Sequence, residues 1–74
     1  MTGFQKREKM IQSIKNAKNF DEMTTALAEG DKAMEDPNVR SSLNTIETNC
    51  RAASLHWTQE MSQAFEGWLL KYKN

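Results

Sequence analysis

The sequence predicts an all-α protein, and three observations lead to that prediction. Glycine and proline are scarce, with three glycines and one proline among 74 residues. Apolar residues recur at the spacing of a helix and not at the alternating spacing of a strand. The β-branched residues that strands favour are few and scattered. We therefore expect a single helical domain over residues 1–74, with two shorter amino-terminal helices packed along one long carboxy-terminal helix.

The first helix is predicted over about residues 4–17. Phe4, Met10, Ile11, Ile14 and Ala17 share one face of it, and the lysines and Gln12 surround the rest. This segment is strongly basic, and the segment that follows is acidic. We interpret the two charge blocks as complementary neighbouring helices.

The second helix is predicted over about residues 20–35. Asn19, with Glu22 three residues later, is typical of a helix start in which each residue caps the other. Gly30 is typical of the residue that ends a helix. We expect the residues after it to form one further turn.

The third helix is predicted over about residues 37–72. Asp36 is a good N-cap, and Pro37 stands where the first turn of a helix tolerates proline. One apolar stripe then continues to the end of the helix without drifting to another face. Its members are Val39, Leu43, Ile46, Cys50, Ala53, Trp57, Met61, Ala64, Phe65, Trp68 and Tyr72.

The length of this third helix leaves two arrangements open. It would be about 54 Å long, whereas a compact domain of this size is only about 30 Å across. Either the helix breaks near "RAASLH" and folds back into a three-helix bundle, or it stays whole in an elongated helical hairpin. The hairpin has too little core for a monomer and therefore predicts self-association. We favour the elongated form.

Motifs for catalysis, cofactors or metals are absent from the sequence. It contains no phosphate-binding glycine loop, dinucleotide fingerprint, zinc-protease motif or calcium loop. Cys50 lies within the apolar stripe, which predicts a buried small side chain and not a reactive thiol. His56 is the only histidine, so neither a metal site nor a nucleophile is expected around it. We predict a protein without enzymatic activity and without a cofactor.

The leading functional hypothesis is a small helical protein-binding module. Such a protein would act as an adaptor, inhibitor, regulator or assembly factor, with the apolar face of the third helix docked on another protein or on copies of itself as a homo-oligomer. The rings of the stripe are interpreted primarily as packing residues of the fold. Leu55, Leu69 and Leu70 lie outside the stripe, and they are either ordinary exposed apolar surface or a second packing surface. The predicted partner-binding residues are Leu55, Trp57, Met61, Phe65, Trp68, Leu69 and Tyr72.

The alternative hypothesis is a nucleic-acid-associated regulator. Its basic contacts would come mainly from the first helix, and a net charge of zero weighs against it because phosphate binding rests on a basic excess. The residues concerned are Lys6, Arg7, Lys9, Lys15 and Lys18, with Arg40 and Arg51 from the third helix.

The expected location is the cytoplasm, or the host cytoplasm if the protein is encoded by a phage. No apolar run approaches the length of a membrane span, and the amino terminus lacks the pattern of a secretory signal. We therefore predict no membrane partner.

Overall fold

The computed structural model, which describes residues 3–73, is all-helical over that range, as predicted. The longer helices are α1 (Gly3–Asn16), α2 (Phe20–Ala33) and α5 (Gln59–Lys73). Two shorter helices, α3 (Pro37–Arg40) and α4 (Leu43–Arg51), and one 3₁₀ turn (Ser54–His56) lie between α2 and α5. The helices pack on one another around a shared core.

The start of α2 is capped by the residues that the sequence indicated. The Asn19 side chain accepts a hydrogen bond of 2.8 Å from the backbone N–H of Glu22. The Glu22 carboxylate accepts one of 2.9 Å from the backbone N–H of Lys18. The first bond satisfies a backbone N–H that the helix start leaves unpaired, whereas the second pairs the N–H of the residue before the N-cap and not that of Asn19 itself.

Gly30 does not end α2, which corrects the prediction for this residue. The helix continues to Ala33, and Gly30 has no positive φ. Instead, Gly30 lies where α2 packs closely against α5 and α1. A Cβ at position 30 would lie 2.9 Å from a ring carbon of Trp68 and 3.1 Å from the Met10 sulfur.

This close approach gives a paired prediction for two helical glycines. We expect Gly30→Ala to lower the free energy of unfolding by about 1–2 kcal/mol, because the cost of overpacking against Trp68 exceeds the gain in helix propensity. Gly67→Ala should raise it by about 0.5–1 kcal/mol, since nothing lies within 4 Å of a Cβ there. Urea denaturation of both variants tests this pair. Equal stabilisation of the two would contradict the close packing at Gly30.

The long third helix is broken, so this part of the prediction is wrong. Asp36 caps α3 as expected, since it accepts a hydrogen bond of 2.9 Å from the Asn38 backbone N–H. The helix nevertheless ends at Arg40, and the chain turns again between α4 and α5 at the "RAASLH" segment. The described molecule measures 31 × 25 × 19 Å with a radius of gyration of 11.1 Å. The elongated hairpin is thus replaced by the bent alternative.

The reason for the bend is burial of apolar surface. A straight third helix would leave much of its stripe uncovered by the two shorter helices, whereas folding α5 back onto α2 and α4 removes that surface from water. The stripe faces inward throughout, despite the breaks. Its buried members are Val39, Ile46, Cys50, Ala53, Met61, Phe65 and Trp68.

Candidate functional site

Most of the predicted partner-binding residues are internal in this fold. Met61, Phe65, Trp68 and Leu69 are buried in the core. Trp57 and Tyr72 are half-buried and pack against that core. Leu55 alone is fully on the surface, with 91% of its area exposed. The face of α5 therefore holds the molecule together, and its edges are what another molecule could contact.

Leu69 was expected on the surface, and this expectation is wrong. The residue is 1% exposed. It follows Phe65 by four residues and so lies on the same side of α5. Because α5 packs against both α2 and α4, its buried face is wider than the stripe inferred from the sequence. Leu70, which was also placed outside the stripe, is 59% exposed.

Four aromatic rings form a connected row along the buried side of α5. The ring centroids of Trp57 and Phe65 are 5.0 Å apart, those of Phe65 and Trp68 are 6.1 Å apart, and those of Trp68 and Tyr72 are 5.1 Å apart. The tilted and edge-on geometries are those that aromatic pairs prefer. The row runs from the turn before α5 to the last turn of the helix and fixes the position of both ends.

Asp31 anchors the far end of this row and was missed by the sequence analysis. One of its carboxylate oxygens accepts hydrogen bonds from the Trp68 indole at 2.9 Å, from the Lys71 ammonium at 3.2 Å and from the Tyr72 hydroxyl. Burial raises the pKa of Asp31, but the hydrogen bonds from these three donors outweigh it and hold the pKa below its ordinary value of 3.8. Burial and the neighbouring carboxylate raise the pKa of Tyr72 to about 12.

The turn between α4 and α5 is the candidate functional site. Leu55 lies within the 3₁₀ turn, and Trp57 follows it in extended backbone conformation. The indole nitrogen of Trp57 is buried, with no hydrogen-bond partner among residues 3–73. Thr58 then caps α5 by accepting a hydrogen bond of 3.2 Å from the Met61 backbone N–H. The turn thus presents an exposed leucine beside a half-buried tryptophan, a combination suited to apolar contact with a protein.

The basic residues of α1 are not gathered into one surface. Lys6 pairs with Asp36 at 3.5 Å, and Arg7 donates to the Ser42 hydroxyl at 3.1 Å. Lys9 is exposed and lines a groove between α1 and α2 with Lys6.

The remaining predicted nucleic-acid contacts lie elsewhere. Lys15 and Lys18 line a different groove, together with His56. Arg40 donates to the backbone carbonyl of Met34 at 3.2 Å. A phosphate backbone would need these charges on one continuous face.

Arg51 connects α4 to α5 through carboxylates. It donates to Glu47 at 2.9 Å and to Glu66 at 3.0 Å. These hydrogen bonds lower the pKa of both glutamates. Lys73 also pairs with Glu47, at 3.1 Å. The cluster is a surface ion-pair network that holds α5 against α4.

Chemistry by the one cysteine is disfavoured by its surroundings. Cys50 is fully buried, and burial raises the pKa of its thiol to about 12. Over residues 3–73 no group of three or more histidine, cysteine or carboxylate side chains is placed to hold a metal ion. Within the same range, no helix is long and apolar enough to cross a membrane.

Comparisons of the chain with protein-family models, with curated proteins and with solved structures gave no match.

Proposed function

We propose that this protein is a small non-enzymatic helical module that binds another protein through the turn carrying Leu55. It would serve as an adaptor, inhibitor or assembly factor, and with its free buried cysteine we place it in the cytoplasm. The observation that carries the proposal is the 91% exposure of Leu55 in a chain whose apolar stripe is buried or half-buried throughout. A leucine held in a short turn costs little entropy to dock, because its backbone is already ordered.

The surroundings of Leu55 fit an apolar contact with a polar rim. Half-buried Trp57 lies two residues further along the chain, and exposed His56 between them is polar. Removing an exposed leucine from water stabilises a complex by about 1.5–3 kcal/mol. This corresponds to roughly 10- to 100-fold in affinity.

The experiment begins by finding the partner at this position. A photoreactive amino acid at position 55, and at position 63 as a control, would be introduced in the cells that produce the protein. Gln63 is an exposed residue of α5 and offers no apolar group. We expect a protein adduct at position 55 that is absent at position 63.

The decisive measurement uses that partner in purified form. Leu55→Asp should weaken its binding at least tenfold, whereas Gln63→Asp, which adds the same charge, should leave it within about twofold. Circular dichroism should show both variants folded. Equal binding by wild type and Leu55→Asp would reject the proposal.

A further inference from the structure

The connection between α4 and α5 contains no residue that stops a helix. Residues 52–58 read "AASLHWT", without glycine or proline, and no residue in the range 3–73 has a positive φ. The apolar pattern of the sequence continues through this segment at helical spacing. The bend is therefore maintained by the packing of α5, and the Thr58 cap is the local contribution to it.

The backbone leaves helical geometry in the short stretch before α5. Ala52 (φ −60°, ψ −25°) and Ala53 (φ −95°, ψ 0°) are in the helical region, and residues 54–56 form the 3₁₀ turn. Trp57 is extended, with ψ at 144°, and Thr58 after it is the N-cap of α5. A change of backbone at Trp57 and Thr58, with release of the Thr58 cap, would join α4 to α5. The 3₁₀-type hydrogen bonds from His56 to Ala53 (3.1 Å) and from Trp57 to Ser54 (3.1 Å) would then become α-helical bonds.

In the bent connection, one apolar side chain is exposed to water and one buried N–H group has no hydrogen-bond acceptor in the described chain. Leu55 is almost completely exposed, and the Trp57 indole N–H is buried without an acceptor in the described chain. Both conditions are unfavourable, and neither is required by the contacts of α5 with α2. These two features mark the turn as the segment at which we place the change of backbone.

If the connection straightened, the buried apolar face of α5 would be exposed to water unless it packed against another protein surface. Met61, Phe65 and Leu69 are at most 1% exposed, and Trp68 binds Asp31 of α2. The same contacts can be remade only with an identical α2 and α4, which a second copy of the chain provides. The occupant of the vacated site is thus another copy's α5.

We propose that two copies of this chain exchange α5, and that α4, the turn and α5 become one continuous helix in the exchanged dimer. That helix would cover residues 43–73 and measure about 46 Å. Each Asp31 would then accept hydrogen bonds from Trp68, Lys71 and Tyr72 of the other copy. The exchange goes beyond the proposed binding function, because its interface is the interior face of α5, and it changes the backbone of the turn that carries Leu55.

The test uses a proline that the bent form accepts and the continuous helix does not. Gln59 is the first residue of α5, where proline is tolerated, and Thr58 before it acts as an N-cap. In a continuous helix the same proline would lie in the interior and lose a backbone hydrogen bond. We expect Gln59→Pro to remain a folded monomer. Its association constant for dimerisation should be at least 100-fold lower than that of wild type. Gln59→Ala, the matched control, should dimerise like wild type.

The measurement is sedimentation velocity after refolding from denaturant at high protein concentration, since exchange requires α5 to detach. Small-angle scattering of the dimer fraction should show a particle longer than the 31 Å monomer. Dimerisation of Gln59→Pro equal to wild type would overturn the exchange, and so would a wild type that stays monomeric at the highest concentration. A dimer lost in Leu55→Asp but kept in Gln59→Pro would also overturn it, and would assign self-association to the Leu55 surface instead.

Discussion

Replacing Phe65 with alanine is expected to unfold much of the protein under conditions in which the wild type is folded. Phe65 is fully buried and lies at the centre of the aromatic row, in contact with both Trp57 and Trp68. Truncating a buried phenylalanine costs about 3–5 kcal/mol, from lost transfer free energy and from the cavity that remains. A domain of this size has only about 5 kcal/mol of stability in total. Urea denaturation followed by far-ultraviolet circular dichroism measures the loss.

The matched control is Leu55→Ala, because Leu55 is the most exposed of the large apolar residues between positions 3 and 73. Its free energy of unfolding should change by less than about 0.5 kcal/mol, as for other exposed positions. The pair separates the two roles that the sequence allowed for apolar residues near α5. A small cost at Phe65 together with a large cost at Leu55 would mean that the face of α5 is external and that the packing described here is wrong.

The starts of α2 and α3 were predictable because each depends on a few neighbouring residues. Asn19 with Glu22, and Asp36 with Pro37, act through backbone hydrogen bonds within one turn, and both signals predicted real helix starts. The inward stripe was predictable for a related reason, since helical spacing alone places its members on one side. Thr58 carries a comparable signal as the N-cap of α5 and could have indicated a helix start there.

The breaks in the third helix were harder to predict because no local residue causes them. Residues 52–58 contain no glycine or proline, and apart from the Thr58 cap the choice between a straight and a bent chain depends on how much of α5 the rest of the molecule can cover. A long-range contact also explains the wrong prediction at Gly30. Gly30 was interpreted as a helix end, but the Trp68 ring that lies against it is distant in sequence.

The candidate site was predicted only in part for the same reason. Leu55 was correctly predicted to lie outside the buried stripe. Leu69 was wrongly predicted to lie outside it, because α5 packs against both α2 and α4 and its buried face is wider than the stripe. Asp31 is an acidic residue in an acidic segment, and nothing near it in the sequence indicates three donors from α5.

Replacing Asp31 with asparagine is expected to destabilise the protein by about 1–2 kcal/mol near neutral pH. The charged acceptor of Trp68, Lys71 and Tyr72 is lost, and hydrogen bonds to a charged group contribute about 1.5–3 kcal/mol. The expected cost is smaller because the carboxylate is 45% exposed. Since the folded-state pKa of Asp31 lies below its ordinary value of 3.8, the stability it contributes is complete above that pH. It is lost as the pH falls through the folded-state pKa, so the difference between wild type and variant should shrink in acid.

The one tyrosine of the chain gives a second measurement of the same contact. In the wild type the tyrosinate absorbance of Tyr72 should appear with a pKa of about 12, and in Asp31→Asn it should move down toward the ordinary value of 10.0. Burial keeps part of the elevation, because it acts on the phenol independently of the carboxylate. Glu60→Gln, which removes an exposed carboxylate of the same molecule, should change neither the tyrosine titration nor the acid profile. If Glu60→Gln and Asp31→Asn behaved alike in both measurements, Asp31 would not be the anchor that fixes α5 on α2.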